Sequence, residues 1–160
     1  MTRLAVSGHR GLPPATRQLV VTALRTEISI RAADGDLIGL TCLADGADSL
    51  FAQAVLDVGG SLHVFIPAEK YRDGLPADHR EVYDALLAQA TTVTRLNHVE
   101  SDSESHMDAS LRMIAEADRL LAVWDGKPAR GYGGTADVVD AARARGLRVT
   151  VIWPAGAERD

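Results

Sequence analysis

The stretch from Leu37 to Ile66, LIGLTCLADGADSLFAQAVLDVGGSLHVFI, decides the fold. It opens on an apolar run, Leu37 to Leu43, that is too short for a helix and is composed as a strand covered on both faces would be. Small and acidic residues follow, Ala44-Asp45-Gly46-Ala47-Asp48. Ala47, Leu50, Phe51, Ala54, Val55 and Val58 then fall at offsets 0, 3, 4, 7, 8 and 11, one continuous helical stripe. Gly59-Gly60 ends that helix by supplying positive φ, and Leu62 to Ile66 begins a second apolar run. Strand, helix and strand in such close order imply a right-handed crossover between parallel strands.

The same alternation extends in both directions. Upstream stand Leu4-Ala5-Val6 and then a stripe of Val20, Leu24 and Ile28, which opens after Pro13-Pro14. Downstream the strand candidates are Thr92 to Leu96, Leu120 to Trp124 and Val149 to Trp153. Between them lie the helical patterns Val82, Leu86, Leu87, then Met107, Leu111, Ile114, Ala115, then Val138, Val139, Ala142, the last closed by Gly146. The expected fold is α/β, a Rossmann-like doubly wound parallel sheet of about six strands with helices on both faces. One domain over residues 1–160 accounts for every segment. In such a sheet the strand order reverses near the first strand and ligands occupy the crevice there, so function is sought in the loops leaving strand ends.

Composition sets the outer bounds. The chain has 160 residues, 46% hydrophobic and 24% charged, with a net charge of -5, so a dedicated nucleic-acid binder is not expected. Cys42 is the only cysteine, which excludes an internal disulfide and a cysteine-rich metal site. No apolar run reaches membrane-spanning length, and a cytoplasmic location is expected. No hydrolase triad assembles: Cys42 reads as core inside a strand, His63 as structural, and His106 as a helix-start residue rather than a metal ligand. Neither a metal nor a cofactor is expected.

The loop after the first strand is Ser7-Gly8-His9-Arg10-Gly11, whose glycines allow close backbone approach and whose Arg10 can pair with phosphate. A tight turn with a solvated arginine is the equal alternative. After the second strand, Asp45 reads as a helix cap and Asp48 as a first-turn acid, with a polar ligand contact open for Asp48. The third loop, Pro67 to Arg72, offers Tyr71 for stacking on a base and Lys70 or Arg72 for phosphate, against a plain solvated loop. The fourth, Asn97 to Ser105, carries Ser101, Ser103 and Ser105 as donors or is simply a long polar connection.

The fifth loop gives the strongest signal, Trp124-Asp125-Gly126-Lys127-Pro128-Ala129-Arg130-Gly131-Tyr132-Gly133-Gly134-Thr135-Ala136-Asp137. Gly131, Gly133 and Gly134 immediately precede a helical pattern, and their N–H groups with the first helical turn can form an anion-binding concavity. Thr135 reads as a cap whose hydroxyl can also meet a phosphate oxygen. No GK[ST] follows the glycines, so this is not a Walker loop.

Ser7-Gly8-His9-Arg10, Gly46-Ala47-Asp48 with Ala52, Gly59-Gly60, and Gly131-Tyr132-Gly133-Gly134-Thr135 together resemble the SLOG superfamily. That superfamily takes in the LOG-type phosphoribohydrolases, once called lysine decarboxylases, the Rossmann-like core of DNA-processing protein A, and sensor domains for nucleotide-derived signals. The resemblance implies a ligand with ribose and phosphate, and a homodimer. LOG enzymes carry PGGxGTxxE, whose glutamate acts in cleaving the N-glycosidic bond; here Val138 holds that place and Asp137 lies one residue earlier. The C-terminal part also looks like nucleoside 2-deoxyribosyltransferases, which would put Asp125 against the sugar and leave Glu69 as candidate nucleophile. The leading expectation is therefore a binding or sensing role for a phosphate-bearing nucleotide or nucleotide-derived small molecule. Ser7, Gly8, Arg10, Asp48, Tyr71, Gly131, Gly133, Gly134 and Thr135 would form its site. The alternative is an N-glycosidase or ribosyltransferase using Asp137, Glu69 or Asp125.

Overall fold

A computed structural model describes residues 1–160. All six expected runs are strands: β1 (Thr2–Gly8), β2 (Leu37–Thr41), β3 (Ser61–Ile66), β4 (Thr92–Arg95), β5 (Arg119–Val123) and β6 (Arg148–Ile152). The inner ones are apolar runs buried on both faces, whereas β4 and β6, also expected to be covered, are largely exposed. Five helices alternate with them: α1 (Pro14–Ala32), α2 (Ala47–Asp57), α3 (Arg80–Leu87), α4 (Ser103–Ala115) and α5 (Thr135–Ala144). The strands make one sheet, every pair parallel, in the order β4-β3-β2-β1-β5-β6. The order reverses between β1 and β5, where α1 leaves to one face and α5 to the other, opening a crevice at their carboxyl ends.

Two apolar layers hold the helices to the sheet. Val20, Leu24 and Ile28 of α1, Phe51 and Val55 of α2, and Tyr83 and Leu86 of α3 share one layer with Leu4, Val6, Leu62 and Val64. Met107, Met113 and Ile114 of α4 and Val138, Val139 and Ala142 of α5 share the other with Ala5, Leu40, Phe65 and Leu120. Gly59 has φ 82°, the conformation expected where α2 stops.

The helical faces differ from expectation in three places. On α3, Val82 is exposed and Tyr83 buried, because a helix of eight residues offers barely two turns to define a stripe. On α4, Leu111 and Ala115 face outward and Met113 takes the inward position. Val58, at the end of α2, is exposed beyond the last packed turn. No helix is long and apolar enough to cross a membrane.

Candidate functional site

His9 is the joint of the site. Its N–H donates to the Val123 carbonyl (3.1 Å) at the end of β5, and its own carbonyl accepts the Ala47 N–H (3.3 Å) at the start of α2. Its ring is buried, and Nε2 accepts the Asp125 N–H at 3.0 Å, so that nitrogen carries no proton. Burial and the positive charge of Arg159 lower the His9 pKa, in keeping with a neutral ring. The Asp125 carboxylate 3.3 Å away is thus a neighbour rather than an ion-pair partner. Although burial pushes the Asp125 carboxyl up, the Lys127 N–H and the charge of Arg159 hold it below its ordinary value. Three chain segments around the switch point are pinned by one side chain and its peptide.

Gly8 permits this closeness. A Cβ there would collide with the Cβ of Ala47 and come within 2.8 Å of the Cβ of Val123. After β2 the backbone turns sharply: Leu43 has φ 57°, a conformation that costs a non-glycine residue energy and persists where surroundings over-determine it. Here Thr41 Oγ1 accepts the Leu43 N–H (3.1 Å) and the His79 ring donates to the Leu43 carbonyl (3.0 Å).

These loops enclose a pocket of about 260 Å³ at the carboxyl end of the sheet. Of the residues read as candidates, Ser7, Gly8, Arg10, Asp48, Tyr71, Gly133, Gly134 and Thr135 line it. Arg10 and the 133–135 loop therefore face one space. Gly131 stands outside that lining, as do Glu69, Asp125 and Asp137. Glu69 is exposed and its peptide is tied to His98 (2.9 Å), away from the crevice. Asp137 turns back and accepts the Gly133 N–H at 2.9 Å, closing its own loop.

Several local roles differ from the sequence reading. Asp45 does not cap α2. Gly46 holds that position without a side-chain bond, and the Asp45 carboxylate instead takes Arg10 Nε at 2.7 Å and the Gly11 N–H at 3.1 Å. Arg10 is thereby compensated inside the protein. Thr135 is the first residue of α5 and Gly134 the cap, so the threonine hydroxyl lines the pocket instead of bonding its own helix. The glycine N–H groups are also spent internally, Gly133 on Asp137 and Gly134 on the Gly131 carbonyl (3.3 Å). The first-turn amides of α5, those of Thr135 and Ala136, have no preceding carbonyl within the helix, and of the two residues Thr135 lines the pocket.

Tyr71 is 4% exposed and packs edge-on against Tyr83 and His106, so it forms floor rather than a free stacking platform. Lys70 pairs with Glu100 and Arg72 with Asp84, both away from the pocket. Two of the three serines of the fourth loop are also occupied, and Ser103 is exposed outside the pocket lining. Ser105 and Asp102 form a reciprocal cap for α4, and Ser101 bonds His106. Cys42 lies just past β2 and lines the pocket rather than standing inside a strand, and desolvation with Asp48 nearby raises its thiol well above the ordinary range. As expected, His63 is structural: it bonds Thr94 Oγ1 at 2.8 Å and stacks on Phe65.

Asp48 is the buried acid of the pocket. Its carboxylate accepts the Ala44 N–H at 3.2 Å, and burial raises its pKa to about 7. His106, whose pKa is lowered by burial and by Arg10, faces the same space. Two further cations were not legible in the loops as sequence: Arg130, within the fifth loop, and Arg159, beyond β6. Neither is engaged in an ion pair or hydrogen bond, and they are near enough for Arg130 to lower the Arg159 pKa, after the larger effect of burial.

No family model and no curated protein matches the sequence. Among solved structures, DNA processing protein A from Helicobacter pylori, described with a single-stranded DNA binding mode, aligns at TM-score 0.70 and 16% identity over 98% of this chain and 68% of its own. DNA processing protein A from Streptococcus pneumoniae aligns at the same TM-score, 0.70, and 16% identity over 98% of this chain, which spans 52% of that protein. The molybdenum cofactor binding protein of the phototrophic bacterium Rippkaea orientalis aligns at TM-score 0.61 and 13% identity, over 94% of this chain and 75% of that one. At these identities the likeness is one of fold, and the chain has the Rossmann-like α/β fold that its alternating strand and helix patterns anticipated.

Proposed function

We propose that the chain binds a phosphate-bearing nucleotide or nucleotide-derived small molecule in the crevice between β1 and β5, in a binding or sensing role. One observation carries this reading. Arg130 and Arg159, neither engaged in an ion pair or hydrogen bond, share a pocket with Thr135, the first residue of α5. An anion there meets donors that nothing in the protein satisfies. The uncharged part of the ligand would lie toward Ser7, Asp48 and the Tyr71 floor. A volume of about 260 Å³ is near the lower end of ligand pockets, which run from about 300 Å³ upward, and suits a mononucleotide better than a dinucleotide.

Asp48 supports a second reading, an N-glycosidase or ribosyltransferase. Asp137, Glu69 and Asp125 are all outside the pocket, whereas Asp48 lines it with a pKa near neutrality, as suits a general acid. Nucleic acid ranks below a small ligand for a chain of net charge -5, since phosphate contacts dominate such binding.

The test is a thermal-shift screen against nucleoside monophosphates, ADP-ribose and cyclic dinucleotides, followed by chromatography of incubated hits. A ligand at a hundredfold its dissociation constant adds about 2.7 kcal/mol of stability, readily seen as a raised Tm. A nucleoside monophosphate that stabilises the protein and stays intact supports binding. Release of free base that Asp48→Asn abolishes supports catalysis. No shift with any of them overturns both.

A further inference from the structure

We propose that the segment following β6, Trp153 to Asp160, is a strap that completes the anion site by carrying Arg159 to the side of Arg130, so that the two guanidiniums clamp one dianionic phosphate monoester. This deepens the phosphate reading above and rests on it.

The strap is held by specific contacts. Thr16, in the first turn of α1, is 2% exposed although it is polar. Its hydroxyl donates to the Glu158 carbonyl and accepts the Glu158 N–H, each at 2.8 Å. One buried hydroxyl thus takes up both backbone groups of the residue immediately before Arg159. A turn closed by the Ala157 N–H on the Pro154 carbonyl (3.0 Å) sets the path, and Trp153 meets the His9 ring edge-on at 5.5 Å. The chain is therefore steered from the far side of β6 back across the crevice mouth.

What the strap delivers there is unfavourable by itself. Arg159 is partly buried, Arg130 is close enough to depress its basicity, and the opposing pull of Asp125 is the weaker of the two. Asp160, the other acid the strap brings, lies over Gly11 on the Arg10 side. Two like charges drawn together and only partly offset by Asp125 raise the energy of the empty site, and a doubly charged oxyanion reverses that sign. Planar guanidinium forks on two sides match the oxygens of a terminal phosphate. A neutral nucleoside gains nothing from this arrangement.

The experiment is titration calorimetry of the full chain with adenosine monophosphate and adenosine, joined to hydrogen exchange across residues 154–160. Wild type is expected to bind the monophosphate, to discriminate against adenosine by more than tenfold, and to slow exchange at the Glu158 amide on binding. Arg159→Ala is expected to weaken monophosphate binding at least tenfold while leaving Tm in the absence of ligand within a few degrees. Thr16→Val, which touches no pocket residue, is expected to weaken it severalfold and to speed exchange in the strap, with Thr16→Ser restoring both. Loss of binding in Arg130→Ala with unchanged affinity in Arg159→Ala and Thr16→Val overturns the strap and leaves the phosphate reading intact. No monophosphate binding by wild type, or wild-type affinity in both Arg130→Ala and Arg159→Ala, overturns the phosphate reading itself.

Discussion

The two walls of the crevice are built on opposite principles. On the wall formed by the loops after β1 and β2, nearly every charge has an answer. Arg10 is paired with Asp45, Asp45 also takes the Gly11 N–H, and Asp48 is buried with its acidity suppressed. On the wall formed by the loop after β5 and the segment after β6, Arg130 and Arg159 have no partner and repel each other. A compensated arginine fixes loop geometry, while two arginines that make no ion pair or hydrogen bond beside a helix N-terminus are the basis of the proposed anion site. Both walls carry glycine and arginine, so residue type alone does not separate the two roles; the whereabouts of the carboxylates does.

Substitutions at four places sharpen or break that contrast. The largest effect is expected at Gly8, where a side chain would strike Ala47 and Val123, neither of which can swing aside. Gly8→Ala should lower unfolding stability by about 3 kcal/mol in urea titration, as overpacking does. Next is Asp48. Its folded pKa of about 7 exceeds its ordinary value, so the folded state favours the proton. Any stabilisation from that proton is complete below pH 4 and is lost as pH rises through 7. Asp48→Asn should therefore raise stability by about 2 kcal/mol at pH 8 and by almost nothing at pH 4. An equal gain at both values would mean that Asp48 is ionised in the folded protein.

Third is the glycine loop. Gly133 has φ 85° and the Ser103 carbonyl 3.0 Å from where a Cβ would stand, whereas a Cβ on Gly131 would meet open space. Gly133→Ala should cost about 1 kcal/mol and Gly131→Ala under about 0.5 kcal/mol. Equal costs would show that the loop is not held in this conformation. The smallest change is expected from Arg10→Ala, about twofold in monophosphate affinity, because its side chain is already engaged by Asp45 and exposed pairs contribute little. A tenfold loss there would make both walls ligand-binding.

The fold was legible because buried parallel strands leave unmistakable apolar runs and each is separated by a helix-length pattern. What failed was facing: with Val82 beside Tyr83, and Leu111 near Met113, short helices give two stripes of nearly equal quality, and tertiary packing chooses. The site was legible wherever glycine marks a strand exit, as at Gly8 and Gly133-Gly134. Roles set by distant partners were not. Nothing near Asp45 in the sequence points to Arg10, 35 positions earlier, and nothing near Arg159 points to Thr16, whose contact with Glu158 spans 142 positions. His9 shows the middle case, visible inside a motif but with its purpose supplied by the Asp125 amide.

The chain has two tryptophans, each half-buried against one apolar layer and each on a segment that borders the crevice. Trp124 leads into the fifth loop with its indole N–H on the Lys127 carbonyl (2.8 Å), and Trp153 opens the strap against His9. Intrinsic fluorescence of this protein is therefore a local spectroscopic probe, sensitive to loop and strap position and to protonation of one imidazole. An emission change at constant far-ultraviolet circular dichroism would report occupancy of the crevice without any added label.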